Sequence, residues 1–233
     1  MQASVSGHIL LVDKPAELTS FDVIRILRRQ LGIKKIGHAG TLDPFATGLL
    51  LLGVGPGTKE LTNLVGLSKV YDAVVRVGIA TDTGDPDGVV VDEKNVPEIA
   101  GSFIRSAVEK IVGVHTLRVP LYSAIKVEGK PLYWYAQNGK IPPRIPEKTM
   151  EVYHTALVET HCTVGYCDIS IRVEVSSGTY IRTLAQLLGE FLGYPAMLTS
   201  LRRLQIGSYS VEDAQKLEIP EDFIPNKKSL EGK

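Results

Sequence analysis

This 233-residue chain has no excess charge of either sign: 26 Lys and Arg face 26 Asp and Glu. The balance argues against a uniformly basic nucleic-acid binder or a self-repelling acidic chain, although a neutral total can hide a polarised surface. Cysteine is nearly absent. Cys162 and Cys167 alone cannot build a disulfide framework, and their scarcity fits a reducing compartment. Their four-residue spacer matches no common zinc pattern, despite His154 and His161 nearby, and Cys167 reads as a core strand residue. Long hydrophobic runs are also missing. The longest, residues 49–54 with Gly53 inside it, is far too short to span a bilayer, and the N-terminus has no signal-peptide h-region. These absences lead us to expect a soluble cytoplasmic protein without membrane contact.

Two short segments imitate ligand loops without their chemistry. Gly53-Val54-Gly55-Pro56-Gly57-Thr58-Lys59 lacks the spacing of a phosphate loop, and Pro56 removes a cradling N–H, so a turn is expected. Asp85-Pro86-Asp87-Gly88 would put Thr83 at the first ligand position of a calcium loop and Lys94 where the bidentate Glu belongs. No internal repeat is visible, and no nicotinamide, flavin or metal motif; no cofactor is expected.

With 44% hydrophobic residues the chain can bury one large core. Residues 19–32 read as a helix, with Thr19 and Asp22 in a capping-box pattern and Gly32 as the stop. Val23, Ile24, Ile26, Leu27 and Leu31 cluster on one side, and Arg25, Arg28 and Arg29 lie opposite. Residues 167–175 alternate without a fault, as do residues 70–79 with Tyr71, Ala73, Val75, Val77 and Ile79 on one face. A further helix follows the turn at Ser177-Gly178 and stops at Gly193. Strands interleaved with few helices and no regular βαβ repeat predict an α+β fold, with a mixed, largely antiparallel sheet flanked by helices. Six basic residues against three acids in residues 1–37, and six against two in residues 118–150, contrast with six acids against Lys94 in residues 81–98. Residues 138–148 read as a mobile basic loop, and the chain after Tyr209 as a tail without enforced structure.

One stretch carries the chemistry: Gly37-His38-Ala39-Gly40-Thr41-Leu42-Asp43-Pro44-Phe45-Ala46-Thr47-Gly48. Pro44 pushes Asp43 toward an extended conformation, and the glycines permit turns or close backbone approach on both sides. So constrained a carboxylate suits a nucleophile or a ligand loop, although an Asp-Pro turn can also simply connect two elements.

The stretch resembles the catalytic loop of the TruB-type tRNA pseudouridine synthases, and further motifs match in order. They are Asp13-Lys14-Pro15, Lys69-Val70-Tyr71, Thr81-Asp82-Thr83-Gly84-Asp85, Tyr122-Ser123-Ala124-Ile125-Lys126, Ser177-Gly178-Thr179-Tyr180-Ile181-Arg182 and Leu201-Arg202-Arg203-Leu204. The resemblance covers roughly residues 7–212; the expected catalytic domain is 1–212 with a basic inserted loop near 118–148, leaving 213–233 as a tail too short for the C-terminal RNA-binding module of relatives. It implies isomerisation of uridine to pseudouridine at position 55 of the tRNA T loop, by a monomer acting on the T arm. By the same resemblance Asp43 is the nucleophile, attacking C6 of the base or C1′ of the ribose; Arg182 pairs with it, keeping it ionised and oriented; and Tyr71 stacks on the base or takes the C5 proton. His38 inserts into the T loop as the base flips out, while Tyr180 and Leu201 pack around it. Arg25, Arg28, Arg29, Lys34, Lys35, Lys140, Arg144, Lys148, Arg202 and Arg203 are candidate contacts to the RNA backbone. Two positions depart from the family: Val119 replaces a proline before Pro120, and Gln137 ends the Tyr133-Trp134-Tyr135-Ala136 block. The alternatives are a catalytically silent RNA-binding protein on the same scaffold and a synthase acting on another RNA. A carboxylate-nucleophile enzyme of the aspartyl phosphotransferase kind is disfavoured, since residue 45 is no second acid.

Overall fold

The computed structural model describes residues 9–225. Along the chain run β1 (Ile9–Lys14), α1 (Ser20–Leu31), β2 (Ile36–His38), β3 (Thr47–Val54), α2 (Leu61–Val65), β4 (Lys69–Val77), β5 (Ile79–Thr81), β6 (Val90–Glu93), α3 (Gly101–Glu109), β7 (Gly113–Arg118), β8 (Lys126–Val127), β9 (Lys130–Pro131), α4 (Leu132–Gln137), β10 (Glu147–Cys162), β11 (Cys167–Val175), α5 (Ile181–Leu192), β12 (Ala196–Ile206), β13 (Tyr209–Ser210) and β14 (Gln215–Lys216). The expected α+β class holds. Residues 9–72 with 201–225 form one compact unit and residues 73–200 another, so β4 and β12 each carry the chain from one unit into the other.

In the first unit the strand order is β14-β1-β3-β12, with β2 also paired to β3. The β1–β3 and β2–β3 pairs are antiparallel, whereas β1–β14 and β3–β12 are parallel, which makes the sheet mixed. The apolar run at 49–54 becomes β3, buried on both faces as a central strand should be. Leu50, Leu52 and Val54 meet Val23, Ile24 and Leu27 of α1, and Leu49 and Leu51 meet Leu64 and Ile206. Burial of each such aliphatic side chain contributes on the order of 1.5–3 kcal/mol. Helix α1 starts and stops where its sequence says: Thr19 caps it, the reciprocal bonds with Asp22 are both formed, and Gly32 closes it at φ 67°.

The second unit has the order β4-β11-β10-β7, with β10 antiparallel to both neighbours. Strand β11 buries Cys167, Ile169, Ile171, Val173 and Val175, the alternation its sequence shows. Helix α5 ends at Gly193, φ 84°.

Three expectations need correction. Cys162 and Cys167 sit opposite one another at the closed end of the β10–β11 hairpin and are joined in a disulfide, a local clip though not a framework. The basic insert is a loop only in part: Val119, Val127, Leu132 and Tyr135 form a small core with Trp134, Ile145 and Tyr180 packed against it, whereas residues 138–146 have no helix or strand. The tail is structured as far as residue 225: β14 pairs with β1, Leu217 packs on the α1 core, and Phe223 lies 5.0 Å from the Arg25 guanidinium. Residues 226–233 of the tail lie outside the described residues. Of the segment Gly53–Lys59, Gly53 and Val54 end β3 and Gly55–Lys59 form a single 3-10 helix. No helix among the described residues is long and apolar enough to cross a membrane.

Candidate active site

Asp43 lies between β2 and β3 in a stretch without regular secondary structure. Its own carbonyl accepts from Ala46 N–H at 3.1 Å, closing a turn around Pro44. Buried side chains from three other elements bond the backbone on either side of it. From the start of α1, the Ser20 hydroxyl accepts from Leu42 N–H at 2.9 Å and donates to Leu42 C=O at 3.2 Å. Lys14, at the end of β1, donates to the carbonyls of Pro15, Leu18 and Pro44 at 2.8, 2.7 and 3.2 Å. Arg203, on β12, donates to the carbonyls of Leu49, Thr41 and Gly40 at 2.7, 3.3 and 3.2 Å.

Close approach explains the glycines that frame the loop. Gly48 is in register with Arg203 across the parallel β3–β12 pair, and a Cβ on Gly48 would overlap the Arg203 backbone. Gly48 also takes φ 103°, a conformation other residues rarely adopt.

Burial pushes the Lys14 ammonium down from 10.5 to about 8; the Asp43 carboxylate pulls it back up and the Arg203 charge pushes it further down. The loop therefore depends on a cation that loses its proton in mildly alkaline solution. Activity should fall as pH climbs through about 8. Stability should move the other way: with the folded value lowered, the unfolded chain binds more protons between about 8 and 10.5, so the contribution of Lys14 to stability rises across that window. Single-turnover rates and urea midpoints measured at pH 7 to 10 separate the two effects, and a rate flat to pH 9.5 would exclude Lys14 from control of the loop.

His38, on β2 opposite Leu52, is largely buried, and its Nδ1 makes no hydrogen bond among the described residues. Burial, then the charge of Arg203, lowers its pKa, so the ring is neutral at pH 7. Tyr71 is 6% exposed on the buried face of β4, and Leu201 is 5% exposed on β12. In the other unit, Tyr180 precedes α5, and Arg182 is the second residue of that helix. Arg182 is buried and donates to Thr83 C=O at 2.7 Å and Tyr122 C=O at 2.9 Å, with Asp85 Oδ2 at 3.4 Å. Asp85 is also buried; its Oδ1 accepts from the Thr83 hydroxyl at 2.6 Å and from Asp87 N–H at 3.2 Å. The sequence assigns Asp85 no role, although the residue closes the Thr81-Asp82-Thr83-Gly84-Asp85 motif as well as opening the Asp-Pro-Asp-Gly turn. A carboxylate four residues after a strand threonine gives no sign that it will meet an arginine 97 positions later.

The expected RNA-backbone residues divide. Lys34, Lys35, Lys140 and Arg144 are exposed, with Lys140 5.1 Å from the Trp134 ring. Arg203 cannot serve: it is 1% exposed, and its guanidinium is spent on backbone carbonyls. Strand alternation turns Arg202 to the opposite face, where it grips both oxygens of Asp13 at 3.0 and 2.8 Å. Lys148 donates to Gly178 C=O. On α1, Arg25 is paired with Asp22, Arg28 donates to Ile36 C=O, and Arg29 is paired with Asp222 of the tail. Among the described residues no three His, Cys, Asp or Glu side chains converge as metal ligands would.

Residues 28–181 match the family model of the TruB family pseudouridylate synthases (N-terminal domain). Asp43 and Tyr71 fall inside the match, and Arg182 directly follows it. The chain is 40% identical over 209 residues to a tRNA pseudouridine synthase B of Corynebacterium efficiens, covering 90% of this chain and 70% of the relative. It is also 40% identical over 216 residues to a tRNA pseudouridine synthase B of Chlorobium phaeovibrioides, covering 91% and 88%. A solved H/ACA RNP bound to a substrate RNA containing 2′-deoxyuridine contains a similar chain, with TM-score 0.64 and 25% identity over 90% of this chain. The present chain spans about half the length of that one.

Proposed function

The chain belongs to the TruB family of pseudouridylate synthases, and we infer that it isomerises uridine to pseudouridine at position 55 in the T loop of tRNA, with Asp43 as nucleophile. In that reaction the N1–C1′ bond breaks and a C5–C1′ bond forms, C5 loses a proton and N1 gains one. Nothing is oxidised or reduced, so the chemistry needs only a nucleophile, a proton acceptor and a pocket for an extruded base. A carboxylate that adds to C6 or C1′ and leaves again divides the rearrangement into easier steps. Tyr71 stacks on the base or takes the C5 proton, and Arg182 orients the Asp43 carboxylate. The base must first leave the T loop, and His38 fills its place; a neutral, largely buried imidazole suits stacking better than a solvated cation would. Tyr180 and Leu201 supply apolar surface for the flipped uracil.

The observation that carries this reading is the Asp43 loop itself. One carboxylate stands on a backbone bonded by Ser20, Lys14 and Arg203, within the segment that matches the family. A turn that only connected two strands would need none of these buried groups.

Recognition falls to the T arm, with the exposed Lys34, Lys35, Lys140 and Arg144 meeting phosphates, and the enzyme works as a monomer in the cytoplasm. Incubation with unmodified tRNA, followed by mapping of pseudouridine, tests the activity: modification should appear at position 55 alone. An isolated T-arm stem-loop should be nearly as good a substrate as whole tRNA, and binding should weaken as salt rises. A stem-loop kcat/KM a hundredfold lower at the same salt, about 2.7 kcal/mol, would place an essential contact outside the T arm.

A further inference from the structure

A nucleophile on a loop without a strand or helix ladder has to be aimed by side chains. Ser20 is placed to aim Asp43. It is the first residue of α1 and 2% exposed, 22 positions away from Leu42 in sequence. Its single hydroxyl serves both backbone polar groups of Leu42, accepting from the N–H at 2.9 Å and donating to the C=O at 3.2 Å. Those two bonds hold the peptide units on both sides of Leu42, and the second of them joins Leu42 to Asp43. The anchor is itself rigid, because the capping box of Thr19 and Asp22 and the burial of Val23 and Ile24 hold the first turn of α1 in place.

We propose that Ser20 is a positioning residue for the reaction: its hydroxyl sets the orientation of the Leu42–Asp43 peptide and thereby the aim of the Asp43 carboxylate. The inference rests on the reading of Asp43 as nucleophile. Removal of the hydroxyl leaves the first turn of α1 capped by Thr19, yet leaves two buried backbone groups of Leu42 without their partner, so the loop relaxes about its remaining bonds from Lys14 and Arg203. A displacement of the order of an ångström at the reacting atom costs rate far more than it costs binding.

The test uses the full chain and unmodified tRNA, with single-turnover rate, tRNA Kd and urea midpoint measured for each variant. Ser20→Ala should lower the single-turnover rate by about 10- to 30-fold and leave the Kd within about twofold. Ser20→Thr, which keeps a hydroxyl, should recover to within about threefold of the parent, and Ser20→Cys, similar in size with a weaker donor, should fall between the two. A folded Ser20→Ala protein with the parental rate overturns the proposal, as does a loss carried by Kd alone. If Ser20→Ala proves too unstable to assay, Ser20→Cys decides, since a parental rate there refutes the hydroxyl's role. Asp43→Asn, run in parallel, separates this inference from the reading beneath it. An inactive Asn variant beside a fully active Ser20→Ala refutes only the positioning role, whereas an active Asn variant removes the nucleophile and its aim together.

Discussion

Replacement of Asp43 by Asn should lower the single-turnover rate of pseudouridine formation by about ten-thousandfold or more, ~5.4 kcal/mol at about 1.36 kcal/mol per decade, while tRNA binding stays within a few-fold of the parent. The amide has the shape of the carboxylate and takes the same place after Leu42, so the backbone bonds from Ser20, Lys14 and Arg203 survive. It cannot act as the nucleophile, because its oxygen carries no negative charge to form and release a bond to C6 or C1′. Affinity should persist, because the substitution keeps the side chain's shape and leaves the exposed Lys34, Lys35, Lys140 and Arg144 as they are. The measurement is pseudouridine formed per bound tRNA at saturating enzyme. Turnover at a tenth of the parental rate would dismiss Asp43 as nucleophile, and a Kd raised a hundredfold would show that its main work is in binding.

Where local rules decided the outcome, the sequence was legible. The capping box and terminal glycine of α1, the alternation in β4 and β11, and the stop of α5 at Gly193 each depend on residues a few positions apart, and the structure follows them. The Asp43 loop could be recognised because proline and glycine restrict the backbone locally. What holds that loop could not, since Ser20 is 22 residues away and Arg203 is 162 from Thr41. Charge misled for the same reason. An arginine in a list of basic residues looks available to a phosphate, yet Arg203 is buried among carbonyls. Burial and partnership are decided by which strands lie side by side, and the parallel pairing of β3 with β12 brings together segments more than 150 residues apart. The disulfide was missed for a related reason. Only the antiparallel register of β10 and β11 sets Cys162 opposite Cys167.

Arg182→Lys should lower the rate by about a hundredfold, ~2.7 kcal/mol, despite the retained positive charge. In the parent the guanidinium donates in separate directions, to Thr83 C=O and Tyr122 C=O, and stands 3.4 Å from the buried Asp85 carboxylate. A planar fork can satisfy several fixed acceptors at once; a lysine ammonium, on a chain of different reach, has to choose among them. Asp85 provides the control. Asp85→Asn keeps the shape and removes the charge that faces Arg182, so it should slow the reaction less than Arg182→Lys while shifting the urea midpoint in the same direction. If the two substitutions act through one guanidinium, the double variant should be little slower than Arg182→Lys alone, because the second change disturbs a pair already broken. Fully additive losses would mean that Asp85 influences the reaction by a route that does not pass through Arg182. A parental rate for Arg182→Lys in a folded protein would show that charge alone, without the fork, is enough at this position.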